Sequence, residues 1–245
     1  MMDPIVQSLF DRKSVRVFTG EPVTAEEKAL LLEAAHQAPT GGNQQSYAII
    51  DITDQAIKDQ LSELCDHQPF IATADVVLIF CGDSQRNLDT YQEAGMEVRL
   101  PGLSSALGSA VGAAIVAQNV VVAAQAMGLG SCYIGDIMEN CEKVRALLDI
   151  PEYVIPAAML VIGRPTQQQK DRPKPERFEG KYLVHENRYR RLSGEELRDM
   201  YRKKAGVKGF DAWVKALCER KYESDFAKEM ARSVKVWLKP FMDGE

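Results

Sequence analysis

Four residues near the start of the chain have the chemistry to grip an anion: Arg12, Lys13, Ser14 and Arg16, in the run DRKSVR. Arginine presents a planar fork of N–H donors, lysine a compact ammonium, and the hydroxyl a neutral donor, which together suit a phosphate. Val15, Val17 and Phe18 alternate with these residues, so the charge is held against something apolar. A second basic run, KDRPKPER at residues 170–177, carries Lys174 and Arg177. Either run alone is also what a solvated surface carries, and spacing does not say whether the two meet.

Other chemistry is sparse. The chain has no G-x-x-x-x-G-K-[ST], H-E-x-x-H, G-x-S-x-G or EF-hand pattern. His36, His67 and His185 lie far apart without metal-ligand spacing. The five cysteines, Cys65, Cys81, Cys132, Cys141 and Cys218, are odd in number and lack C-x-x-C spacing, which argues against a disulfide framework or zinc site. The stretch MMDPIVQSLFDRK carries an early Asp3 and no apolar run long enough for a signal peptide, and with the cysteine pattern this predicts a cytoplasmic protein. The stretch GLGSCYIG resembles a dinucleotide fingerprint, but it follows a helix, so Gly128 and Gly130 read as helix-terminating glycines.

The elements that must position these groups follow from composition and pattern. At 245 residues and 45% hydrophobic, the chain can bury a full core, and its net charge of −5 disfavours nucleic acid and anionic membrane as partners. Residues 106–127 are apolar for long enough to span a bilayer, yet Gln118, Asn119, Gln125 and the abundance of Ala and Gly point to a buried helix. Its small residues, Ser105, Gly108, Ser109, Gly112 and Ala113, invite close approach by another backbone, either inside a monomer or from a second subunit.

Around this helix the pattern alternates. Helices are expected over residues 4–13, 24–38 (Thr24 and Glu27 forming a capping box), 54–67 and 141–150, and strands over 46–53, 75–83 and 154–163. GSCYIGDI reads as a turn or short strand, residues 167–181 as an extended loop, and 211–239 as one amphipathic helix carrying Trp213 and Trp237. One α/β domain with a helical C-terminal extension accounts for the pattern.

The blocks RKSVRVF, AQNVVVAAQAMGLGSCYIGDI, PKPER and LVHENRYRRL, in that order from about Ile5 to Arg191, resemble the FMN-dependent nitroreductase family. The resemblance is to its longer-chain branch of oxygen-insensitive NADPH nitroreductases and flavin reductases. It implies an α/β (α+β) fold whose mixed, mainly antiparallel central sheet is flanked by helices around a long buried central helix. Residues 1–192 would form the FMN-binding domain, and 193–245 a helical extension packing on it or on a partner subunit.

By the same resemblance, Arg12, Lys13, Ser14 and Arg16 would hold the flavin phosphate and ribityl chain, with Lys174 and Arg177 closing on the phosphate. Gln68 would lie near the isoalloxazine ring, and the turn Tyr133, Ile134, Gly135, Asp136 would offer a backbone N–H near Gly135 or Asp136 to flavin N5. No catalytic side chain is implied, because electrons pass from NADPH or NADH through FMN to nitroaromatic, quinone or flavin acceptors in a ping-pong cycle. Arg202, Lys203, Lys204 and Lys208 are candidates for the NADPH 2′-phosphate, and a homodimer is implied. Asp136 and Met138 stand where the family turn commonly has a glycine and then an arginine, which leaves an FMN-binding sensor or storage module as the alternative; TGGNQQ at residues 40–45 also departs from the family and bears on substrate preference.

Overall fold

In a computed structural model that describes residues 2–242, the chain folds as two units, Met1–Pro173 with Glu229–Glu245, and Lys174–Lys228. The division expected at 192/193 falls inside the sequence of the second unit.

In the first unit, Asp3 caps helix α1 (Pro4–Asp11) by accepting from the Ile5 N–H at 2.9 Å. Helix α2 (Ala25–His36) opens with the expected capping box: Thr24 Oγ1 accepts from the Glu27 N–H at 3.1 Å and Glu27 Oε2 from the Thr24 N–H at 2.8 Å. Then follow β1 (Tyr47–Ile52), α3 (Gln55–Leu64), β2 (Val76–Asp83), α4 (Gln85–Glu93), α5 (Leu103–Ala126), β3 (Gly130–Ile134), α6 (Cys141–Leu148), β4 (Val154–Gly163) and α7 (Gln167–Asp171).

The four strands form one sheet in the order β1-β2-β4-β3, each neighbouring pair antiparallel. The sheet is therefore antiparallel throughout rather than mixed; the one parallel pairing, between Ser14 and Ser131, is an isolated bridge outside the strands. Strand β2 is buried along its whole length because both faces are covered: Leu78 and Phe80 join the cluster against α2 and α5, while Val77, Ile79 and Cys81 join the cluster around Leu61, Ile137 and Phe241. This double burial is why its sequence reads as a continuous apolar run.

Helix α5 buries Ala106, Ser109, Ala113, Val116, Ala117, Val120, Val121 and Ala124, a stripe at helical spacing. It crosses β2 so closely that a Cβ on Gly82 would lie 2.6 Å from Ser109 Oγ. Burial on every face does not occur within this chain, since Leu107 and Val111 remain 63% and 60% exposed. Of the small residues, Ala113 is buried in the core and Ser109 meets β2, whereas Ser105, Gly108 and Gly112, with Ser109 at its edge, line a cleft of about 710 Å³ together with Thr40, Gly41, Gln44 and Gln45.

The second unit contains α8 (Gly194–Ala205), α9 (Phe210–Lys221) and the start of α10 (Asp225–Met242). Tyr201 anchors its core, with ring centroids 5.0 Å from Phe178, 6.2 Å from Phe210 and 5.2 Å from Trp213. The single amphipathic helix expected over 211–239 is two helices, broken before Ala227, whose N–H is capped by Ser224 Oγ at 3.2 Å. The loop expected over 167–181 begins as helix α7, because Thr166 caps it by accepting from the Gln169 N–H.

Candidate functional site

The basic N-terminal run is held along the edge of β3. The Val15 N–H donates to Ser131 O at 2.9 Å, and the Thr19 N–H donates to Arg164 O at 2.9 Å. Val15, 5% exposed, packs so tightly on Gly130 that a Cβ there would lie 2.6–2.7 Å from three Val15 carbons. Gly163 faces the Phe18 ring in the same way, 2.8 Å from where a Cβ would sit. Gly128 does end α5 in the left-handed region at φ 72°, but Gly130 does not: it is the first residue of β3, and it is small because Val15 occupies the space.

With Val15 turned inward, Ser14 and Arg16 gather beside Cys132 together with Arg12. Burial pushes the Cys132 thiol up, while the pull of Arg16, Ser14 and Arg12 opposes it. Burial also pushes Tyr133 up to about 12, against the charge of Arg12.

The second basic run reaches this edge from α7. Lys13 Nζ donates to Lys170 O at 2.6 Å and also to Arg172 O, so its ammonium fastens the loop. Arg172 Nη2 donates to Ser14 O at 2.5 Å, and the Arg16 N–H donates to Gln169 Oε1 at 3.3 Å. Arg12 Nη1 and Arg172 Nε are buried without a hydrogen-bond partner among the described residues. Buried guanidinium N–H groups without acceptors are costly, so this pair fits an anion supplied from outside the chain. Arg172 was not singled out in the sequence; its signal was membership of KDRPKPER, and only contact with Ser14 distinguishes it.

At the far end of β3 the chain turns through a 3₁₀ segment, Asp136–Met138. The hydrogen bonds that close it, Met138 N–H to Gly135 O at 3.1 Å and Glu139 N–H to Asp136 O at 3.0 Å, use the carbonyls of Gly135 and Asp136. A Cβ on Gly135 would meet nothing within 4 Å, so the start of the turn faces open space. Gln68, on the loop after α3, donates through Nε2 to Asp136 Oδ2 at 2.5 Å and to Cys65 O at 2.8 Å. Arg16 lies 5.8 Å from the ring of Phe70 on that loop, which links the cationic edge to the Gln68–Asp136 pair. Tyr133 Oη donates to Gln118 Oε1 at 3.3 Å, pinning β3 to α5, and Trp237 Nε1 donates to Met138 O at 3.0 Å from α10.

The first unit thus brings together Arg12, Ser14, Arg16, Gln68 and Tyr133, Ile134, Gly135, Asp136, with Lys13 fastening the neighbouring loop. Lys174 and Arg177 open the second unit, where Glu176 between them pairs with Lys203 at 2.7 Å. Of the other candidates there, Arg202 pairs with Asp199 at 3.3 Å and Lys204 Nζ lies 3.6 Å from the centroid of Phe178.

The Nitroreductase family profile matches residues 9–164. The chain is 30% identical to the FMN reductase (NADPH) of Bacillus subtilis strain 168, over 93% of this chain and 98% of that protein. It is 32% identical to the oxygen-insensitive NADPH nitroreductase of Salmonella typhimurium strain LT2, over 86% of this chain and 88% of that protein. Its structure matches that of the NADPH:FMN oxidoreductase from Vibrio harveyi, solved in complex with NAD+, with a TM-score of 0.82 and 25% identity, over 96% and 98% of the two chains. A cationic strand edge ending in an open turn, on a sheet matched along nearly its whole length by these proteins, identifies the chain as a member of the nitroreductase family.

Proposed function

We propose that this protein is an NAD(P)H-dependent FMN oxidoreductase, a nitroreductase or flavin reductase. The observation that carries the reading is the pair of buried, acceptor-less guanidinium nitrogens, Arg12 Nη1 and Arg172 Nε, beside Ser14 at the edge of β3. They suit the dianionic phosphate of FMN, with Ser14 and Arg16 adding donors and Lys13 fixing the loop that carries Arg172. Lys174 and Arg177, in the second unit, keep the role toward the flavin phosphate that the family resemblance implies for them.

FMN held by Arg12, Ser14 and Arg16 would lie with its ring against the turn at Gly135 and Asp136, whose backbone would supply the donor to flavin N5. When bound, FMN supplies the electron transfer from reduced nicotinamide to the acceptor. The chain's own work is to bind, orient and screen. Tyr133 is held by Gln118, Asp136 by Gln68 and Met138 by Trp237, so the turn is fixed before any ligand arrives.

The acceptors are small nitroaromatics, quinones or free flavin, with no nucleic-acid or membrane partner, and the protein works in the cytoplasm. Arg202, Lys203, Lys204 and Lys208 are assigned to the NADPH 2′-phosphate. A homodimer is supported by α5, whose exposed Leu107, Val111 and Ile115 border Gly108 and Gly112 and the cleft lined by Thr40, Gly41, Gln44 and Gln45. Asp136 favours one second reading, FMN held with little turnover, because a carboxylate beside the ring disfavours the anionic reduced flavin.

The test is the visible spectrum of the purified protein before and after anaerobic NADPH. Flavin bands that bleach support the reductase, and bands that persist support the second reading. No bands after incubation with FMN and desalting would overturn both.

A further inference from the structure

Behind the Gln68–Asp136 pair lies an acid that the proposed chemistry does not use. Glu139 is 9% exposed, and its Oε2 is buried without a hydrogen-bond partner among the described residues. Its own N–H closes the 3₁₀ turn on Asp136 O at 3.0 Å. Three carboxylates bear on it from three directions: Asp66 after α3, Asp136 on its own turn, and Glu229 on α10. The other titratable groups facing it are His67, beside Asp66, and the buried thiol of Cys65. Asp66 and His67 both sit in the left-handed region, at φ 58° and 51°, and Asn140 Nδ2 donates to Leu64 O at 2.9 Å, so this junction is tightly folded.

We infer that Glu139 is a proton-dependent positioning residue: uncharged, it lets the 135–139 turn pack on the Cys65–Gln68 loop, and ionised, it loosens the contact that places Gln68 and Asp136. Losing the proton to solvent puts a fourth carboxylate charge beside Asp66, Asp136 and Glu229; Arg232 on α10 pairs with Glu229 at 2.8 Å and with Glu142 at 2.7 Å, and among the described residues no cation is hydrogen-bonded to Glu139 itself. Burial first, and then those three carboxylates, push the Glu139 carboxyl from 4.5 up to about 7, with His67 opposing.

The inference rests on the assignment of flavin to this turn, and two readouts separate its failure from that of the assignment. In the apoprotein, folding retains a proton that the unfolded chain releases between pH 4.5 and about 7. Stability to urea therefore falls as pH rises through that window and levels off above it. E139Q, neutral and of the same shape, flattens this contribution.

In the holoprotein, FMN affinity measured from pH 7 to 9 lies above most of the phosphate's own titration near pH 6. The wild-type Kd rises with pH, approaching tenfold per unit above the midpoint if only the protonated form binds tightly, whereas that of E139Q is flat. D66N keeps a side chain tolerated at positive φ and removes one repelling charge. It shifts the wild-type midpoint to lower pH. Parallel pH profiles for wild type and E139Q, or a midpoint unmoved by D66N, would overturn the inference while leaving FMN binding in place. Absence of FMN binding in all three, with the urea slope still abolished by E139Q, would overturn the flavin assignment but retain the buried proton.

Discussion

Replacing Gly130 with alanine tests the link between packing and cofactor binding. The new methyl would sit 2.6 Å from Val15 Cγ2 and 2.7 Å from Val15 Cβ and Cγ1. Carbon atoms pack at about 3.5–4.0 Å, so the Arg12–Arg16 segment has to move outward by about 1 Å. Overpacking of this kind costs about 1–3 kcal/mol of stability. The movement stretches the 2.9 Å Val15 N–H to Ser131 O bond and carries Arg12 and Ser14 away from the position argued for phosphate. Loss of one charge-assisted contact is worth about 1.5–3 kcal/mol, or roughly ten- to 150-fold in affinity.

The assays are urea denaturation and FMN titration of the apoprotein. Gly128→Ala is the control, because φ 72° makes it a strained site while a Cβ there would meet nothing within 4 Å. It should cost about 1–2 kcal/mol through left-handed strain and leave FMN affinity alone. Val15→Gly removes all three clashing carbons, so the Gly130→Ala/Val15→Gly double variant should be destabilised by less than the sum of the singles. Wild-type FMN affinity in Gly130→Ala, or additive destabilisation in the double variant, would refute the idea that this close approach positions the site.

Three further outcomes are expected. Arg12→Ala should weaken FMN binding by about ten- to 150-fold, because its Nη1 is buried without an acceptor, and should leave the circular dichroism spectrum unchanged. Trp237→Phe removes the donor to Met138 O from a residue 2% exposed and should lower unfolding stability by about 1–3 kcal/mol; an unshifted urea midpoint would show that α10 does not pin the turn. Val111→Asp places a charge in the middle of the exposed apolar face of α5, so if the proposed dimer forms there, sedimentation should show monomer for the variant and dimer for the wild type, and a dimer in both would place the interface elsewhere.

Much of this protein is determined by its sequence alone. The capping box of α2, the doubly buried β2 and the long apolar α5 are local in origin, set by side-chain hydrogen bonding at one helix end and by the period of apolar residues. The four blocks that carry the family resemblance also mark where the residues proposed to hold the phosphate and the residues of the turn lie. Tertiary structure decided the rest, because it depends on which distant segments touch. Gly130 reads locally as a helix stop, yet its need for a missing side chain comes from Val15, far away in sequence. The sequence points to Lys13 and passes over Arg172, but Lys13 fastens two carbonyls of the loop while Arg172 has a buried N–H without an acceptor among the described residues. Glu139 reads as one acid among many; only the convergence of α3, the 3₁₀ turn and α10 desolvates it and surrounds it with like charge. Hydrogen bonding and periodicity act over a few residues and are written in the sequence, whereas desolvation and close approach exist only after the chain has brought remote residues together.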